Sequence, residues 1–400
     1  MSYEQAIGLA ASSIVAIVAL QNIAQRNTYV ICLVAIVWYW TSAEWAAVTK
    51  DILHELQHAV LYPSTSIWLT FLPQVFSFVL VQILALLAGV DICKGMCFIR
   101  ASCSVGFGTW HLAGSAYFFG QLFTVAALAL DAPSVVFVVK AIEPLTTAAL
   151  AIPLLNQSFN LRLFLAILVA CVGIMITAMA AHGGFNQIHH SRAEMSIVLS
   201  MLANVGFSSR ACVAKRALSF ESKEPLEAYG KLTVTATQSG FVLLLLWLFL
   251  AQSVLDDRDM MSLLRHVSFN PGAWFTVCLT YFLYQACSIY LLSCFLVETH
   301  ALLVALKHIF VVVLASLLTG AVFNVHMTIG LTLVVAGVSW YLSSPASEDD
   351  AEKESILPIK ETKSEASFES VREVQQVSSW LIAVVASVVV LGTVLPLWRL

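Results

Sequence analysis

Apolar positions in this chain come in long unbroken runs, not in the three-to-four spacing of a surface helix or the alternation of a strand. Runs long enough to cross a bilayer, at about 20 apolar residues each, fall near 5–22, 28–48, 65–89, 101–129, 132–155, 161–181, 194–219, 228–252, 273–296, 299–321, 324–343 and 379–398. They predict about twelve membrane helices, hence an all-α polytopic membrane protein. Before the last run the pattern changes. The stretch 347–376 holds nine acids against four bases, and such a composition stays solvated instead of building a core.

The pattern also repeats. SFNLRLFLAILVACVGIMIT (158–177) resembles VFNVHMTIGLTLVVAGVSWY (322–341), with Phe159 and Phe323, and likewise Gly173 and Gly337, 164 positions apart. This predicts two halves, 28–181 and 194–343, within a region spanning 28–343. Each half holds five runs. An odd number means that the second half crosses in the opposite sense, the inverted-repeat plan of many secondary transporters. The expected architecture is therefore a ten-helix core of two inverted five-helix repeats plus one extra helix at each terminus. The flanking segments are an N-terminal membrane helix at 1–27, an acidic linker at 344–377 and a C-terminal membrane helix at 378–400.

Composition supports the membrane reading. The chain is 60% hydrophobic and only 11% charged, with a mean hydropathy of +0.87, whereas soluble domains carry about a quarter charged residues. The net charge of -4 comes mostly from the linker, and the nine cysteines lie mostly inside apolar runs without a CxxC pair. They are expected to be small buried hydrophobes. Nothing in the balance suggests nucleic acid. Lys94, Arg100, Arg162, Lys215, Arg216, Lys223 and Lys231 fall near one side, against Lys50, Arg192, Arg258 and Arg265 near the other. The richer side, shared with the linker, is expected to be cytosolic, with both termini opposite. The first 20 residues lack the basic start of a cleavable signal.

Two charges interrupt the apolar runs at matching places: Lys140 in SVVFVVKAIEPLTTAALAIPLL and Lys307 in HALLVALKHIFVVVLASLLTG. A lysine deep in a membrane helix costs several kcal/mol unless paired or hydrated, so it marks a site for an anion. A purely structural alternative stands beside this: Lys140 lies one turn from Glu143, and Lys307 has a stem long enough to snorkel.

SVVFVVKAIEP (134–144), NVGFSSRACVAKRAL (204–218) and the run from Tyr284 through Glu298, Thr299, His300 and Ala301 to Lys307 resemble the triose-phosphate/phosphate translocator family of the drug/metabolite transporter superfamily. WYWTSAEWAAVTKDIL and YPSTSIWLTF are similar to its first two helices, so the likeness extends over about 30–343. The resemblance implies a phosphate held by Lys140 and Lys307 with Arg210 nearby, and Thr124 and Tyr284 touching the organic part of the substrate. Gln121 stands where plastid members carry histidine, and His308 where they carry arginine after the second lysine. That second difference weakens the phosphate fork, because arginine is permanently charged and bidentate. Structural alternatives remain: Thr124 and Gln121 as bonds between helices, Tyr281, Tyr284 and Ser288 as a packing stripe, and Arg210 as an end anchor.

The resemblance implies a transporter, not an enzyme, exchanging a phosphorylated sugar or similar organic phosphate for inorganic phosphate or another phosphate ester. No cofactor is implied, and the partners are these small anions and membrane lipid. A nucleotide-sugar antiporter of the same superfamily is the alternative cargo. A plastid envelope fits the plastid branch, while the missing arginine and transit peptide fit the Golgi or ER. One motif belongs to another class: His54-Glu55-Leu56-Gln57-His58 reads HExxH, which on a helix binds zinc with Glu55 as general base. It has no clear third ligand.

Overall fold

The computed structural model describes residues 28–56, 62–87, 107–130, 133–155, 161–181, 191–220, 225–251, 270–295, 297–318 and 325–343. The expected terminal helices, the acidic linker and His58 lie outside the described residues. Eleven helices appear among them: α1 (Thr28–Leu56), α2 (Tyr62–Leu87), α3 (Phe107–Leu130), α4 (Pro133–Lys140), α5 (Glu143–Leu155), α6 (Leu161–Ala181), α7 (Ser191–Phe220), α8 (Pro225–Ala251), α9 (Pro271–Cys294), α10 (Val297–Leu318) and α11 (Val325–Ser343). The described residues contain no strand.

Burial is arranged for lipid. On α6, Leu161, Leu165, Leu168 and Val172 are exposed at helical spacing, and on α7 so are Met195, Val198, Leu202 and Val205. The polar side chains go inward instead, with Gln121, Thr124, Lys140, Glu143, Arg210, Gln285 and Ser288 all buried. Four described stretches are by themselves long and apolar enough to cross a membrane: Thr65–Leu84, Gly108–Leu130, Glu194–Leu218 and Pro271–Cys294. The chain is an all-helical integral membrane protein.

Helices pack in related pairs. α3 lies along α7 and α1 along α9, while α6 packs on α11 and α2 on α8. Small residues make the closest of these approaches, as in membrane bundles generally. A Cβ on Gly206 would sit 2.8 Å from the Cα of Gly120 on α3. The repeated glycines Gly173 and Gly337 both lie in the α6–α11 contact, where a Cβ on Gly337 would meet the Ala170 nitrogen at 2.6 Å and the Ala166 oxygen at 2.8 Å.

The run 132–155 differs from its expected form, being two helices with a break at Ala141 and Ile142. The cause is local. Pro144 has no N–H to give to the carbonyl of Lys140, so the α-helical ladder cannot pass that point. The backbone tightens instead, with the Ile142 nitrogen bonding the Val139 oxygen at 3.2 Å. Asn204 on α7 donates its side-chain nitrogen to the same Val139 oxygen at 2.8 Å, and Thr147 and Ser208 donate to the Glu143 oxygen.

Since inserting atoms into a tight contact costs about 1–3 kcal/mol, Gly337→Val should lower the melting temperature of the detergent-solubilised protein by several degrees. Gly108→Ala, where an added Cβ meets nothing within 4 Å, is the control that should leave it unchanged.

Candidate functional site: a buried cationic cavity

The break between α4 and α5 places a cation and a carboxylate where helix ends favour them. Lys140 closes α4 and Glu143 opens α5, matching the partial negative charge of a helix C-terminus and the positive charge of an N-terminus. Both side chains line one cavity of about 40 Å³, room for a few water-sized bodies. Gln121 and Thr124 reach it from α3, Phe207, Arg210 and Ala211 from α7, Trp38, Ser42 and Trp45 from α1, Tyr284, Gln285 and Ser288 from α9, and His300, Lys307 and His308 from α10.

All seven residues expected at a site, Gln121, Thr124, Lys140, Arg210, Tyr284, Lys307 and His308, thus meet at one place. Each cation has its own support. The Lys140 ammonium donates to Thr124 Oγ1 at 2.9 Å and lies 4.1 Å from the centre of the Phe207 ring. Arg210 donates to Gln285 Oε1 and Ser288 Oγ, both at 3.1 Å, and its guanidinium covers Tyr117 at 5.1 Å. Lys307 lies over the faces of Trp38 at 5.0 Å and Tyr284 at 5.9 Å. Such cation–π contacts contribute about 0.5–2 kcal/mol.

Structural readings of the same residues hold in part alongside this. Gln121 does bond between helices, accepting from the Tyr284 hydroxyl at 3.1 Å, and Tyr281 does pack edge-on against Tyr284. Arg210, by contrast, is buried in the cavity wall and does not anchor a helix end. His308 is turned toward Glu143, with Nε2 3.9 Å from Oε2, too far for a hydrogen bond. Its ring rests against Phe137 at 5.5 Å.

Several lining residues were not singled out from the sequence: Glu143 as part of the cavity, Gln285, His300, Trp38, Trp45 and Ser42. His300 supports Arg210 indirectly, since its Nε2 lies 3.3 Å from the Ser288 hydroxyl while its ring stacks on Trp38. The available signal was the one that picked out the lysines, a polar side chain inside an apolar run.

Among the described residues, the Arg210 Nε, the Gln121 Nε2 and both ring nitrogens of His308 are buried without a hydrogen-bond partner. The cavity therefore offers donors in excess of acceptors, and three formal cations face one carboxylate. A buried, donor-rich and net positive cavity inside a helical membrane bundle is chemically suited to an anion. A family model described as the Triose-phosphate Transporter family matches residues 29–342, and the chain belongs to that family. It is thus a transporter of phosphate-linked solutes within the drug/metabolite transporter superfamily, not an enzyme. No curated protein matches the chain. One solved crystal structure, described only as that of a protein, superposes with a TM-score of 0.50 at 15% identity, covering 82% of this chain and 99% of its own. That likeness concerns the fold alone.

His54 and Glu55 sit exposed near the end of α1 and do not line the cavity. Glu55→Gln should therefore leave transport at the wild-type rate, measured as uptake into liposomes. A loss of transport together with loss of bound zinc would restore the metal reading of HExxH.

Proposed function

We propose that the protein exchanges a phosphorylated sugar or similar organic phosphate for inorganic phosphate or another phosphate ester by alternating access. The observation that carries this reading is the convergence of Lys140, Arg210 and Lys307 on one buried cavity with Glu143 as the only carboxylate among the described residues that line it. Phosphate oxygens would accept from the ammonium groups and from the donors that lack partners. Tyr284, Thr124 and Gln121 would meet the organic part of the substrate.

Alternating access would use two inverted halves, 28–181 and 194–343. The pairing of α3 with α7 and of α1 with α9, and the self-matching pairs α6–α11 and α2–α8, support such a repeat. With no anion, three cations share a low-dielectric cavity, and their desolvation and mutual repulsion oppose closure. An anion between them removes that obstacle. The carrier then changes sides when loaded, which makes the transport an exchange. The same cycle would serve a plastid envelope or a Golgi or ER membrane.

The test is uptake of labelled phosphate esters by liposomes preloaded with phosphate. Lys140→Ala and Lys307→Ala should each reduce exchange by orders of magnitude, because removing one member of a buried charged contact costs several kcal/mol, while their elution and melting stay those of folded protein. Exchange near the wild-type rate in either variant would remove that lysine from the site.

Glu143 competes on this reading with the substrate for the same cations. Glu143→Gln should bind inorganic phosphate about tenfold more tightly, the equivalent of about 1.4 kcal/mol, and should resist return of the empty carrier more strongly. Equilibrium binding to the purified protein decides this: weaker binding would mean that the carboxylate only holds the lysines in position.

A further inference from the structure

Two lysines outside the cavity tie helix ends in matching ways. Lys50 on α1 donates to the carbonyl of Leu128 in the last turn of α3 at 2.8 Å. Lys215 on α7 donates to the carbonyls of Leu292 at 3.3 Å and Phe295 at 2.7 Å, where α9 ends. The last carbonyls of a helix have no partner within it and carry partial negative charge, so an ammonium suits them.

Simple helix capping would account for either contact alone, but not for their relation to one another. Lys50 and Lys215 are 165 positions apart, and Leu128 and Leu292 are 164 apart, the interval at which the two halves repeat. Each lysine also joins helices whose backbones touch lightly, α1 with α3 and α7 with α9, whereas α3 packs along α7 and α1 along α9. The two contacts thus connect one helix pair to the other, and the cavity lies between those pairs.

We propose that Lys50 and Lys215 are the two gate clasps of the transport cycle, each closing one mouth of the cavity and released alternately as the α3–α7 pair tilts against the α1–α9 pair. The proposal rests on the alternating-access reading. In that reading, α1 and α7 cross in opposite senses, so their C-terminal ends lie on opposite faces of the membrane. Both clasps are closed here, in keeping with the small cavity.

The experiment needs no substrate. In a chain whose nine cysteines are replaced, Ala211→Cys places one thiol in the cavity wall, and a membrane-impermeant maleimide is applied to either face of sealed vesicles of one orientation. Lys50→Met should raise labelling from one face on the order of tenfold, the weight of one hydrogen bond to a charged group, and Lys215→Met, which loses two, should raise it from the other face by at least as much. Each should lower labelling from the opposite face. Lys→Arg at either position should stay close to wild type, and Lys→Gln replaces any methionine variant that elutes as aggregate. Unchanged rates, or a rise on the same face for both variants, would overturn the clasps. Sided labelling as expected, with no phosphate exchange in liposomes, would overturn the cargo and leave the clasps standing.

Discussion

Positive charge held inside a membrane bundle is the constraint around which this interior is organised. Each cation needs a helix end, an aromatic face or a hydrogen-bond acceptor, because lipid supplies none of these. Lys140 shows how the backbone itself is used. Pro144 breaks a membrane helix, the break gives a C-terminus to Lys140 and an N-terminus to Glu143, and side chains of Asn204, Thr147 and Ser208 take up the carbonyls around it. A broken helix at membrane depth is tolerated where it is buried in protein or lines a cavity, and here it does both. Lys307 and Arg210 lie within unbroken helices and rely instead on aromatic rings and, for Arg210, on Gln285 and Ser288.

Much of the fold was legible because lipid imposes a length on each helix. The run 161–181 matches α6 (Leu161–Ala181), and most other described helices begin and end within several residues of their apolar runs, but α1 continues to Leu56, two turns past the run 28–48, through the polar stretch that holds Lys50, His54 and Glu55. The break after Lys140 was written in the sequence as Pro144, yet an apolar run hides it, since hydropathy does not register a missing N–H. Lys140 and Lys307 could be read from charge in an apolar run, whereas Arg210, Thr124, Tyr284, Gln121 and His308 came only with the family resemblance. Gln285 and His300 give the same kind of signal more faintly, because a neutral polar side chain in a helix is as readily a packing bond. Which way His308 turns could not be read at all: it depends on Glu143 from a different helix.

The cavity's composition bears on how its parts move together. Its atoms come from both helix pairs, and the pairs are already joined across it by the Tyr284 hydroxyl to Gln121 and by Arg210 to Gln285 and Ser288. An anion held by Lys140 on α4 and Lys307 on α10 would add a further link at the same depth. On the proposed reading the middle of the bundle therefore holds in every state, and freedom is left to the two ends. A bundle tied at its middle can open at one end only by pressing the other shut, so lysine contacts of one or two hydrogen bonds suffice at the ends. Stronger ties there would stop the cycle, whereas weaker ones would let both mouths open and pass solute without exchange.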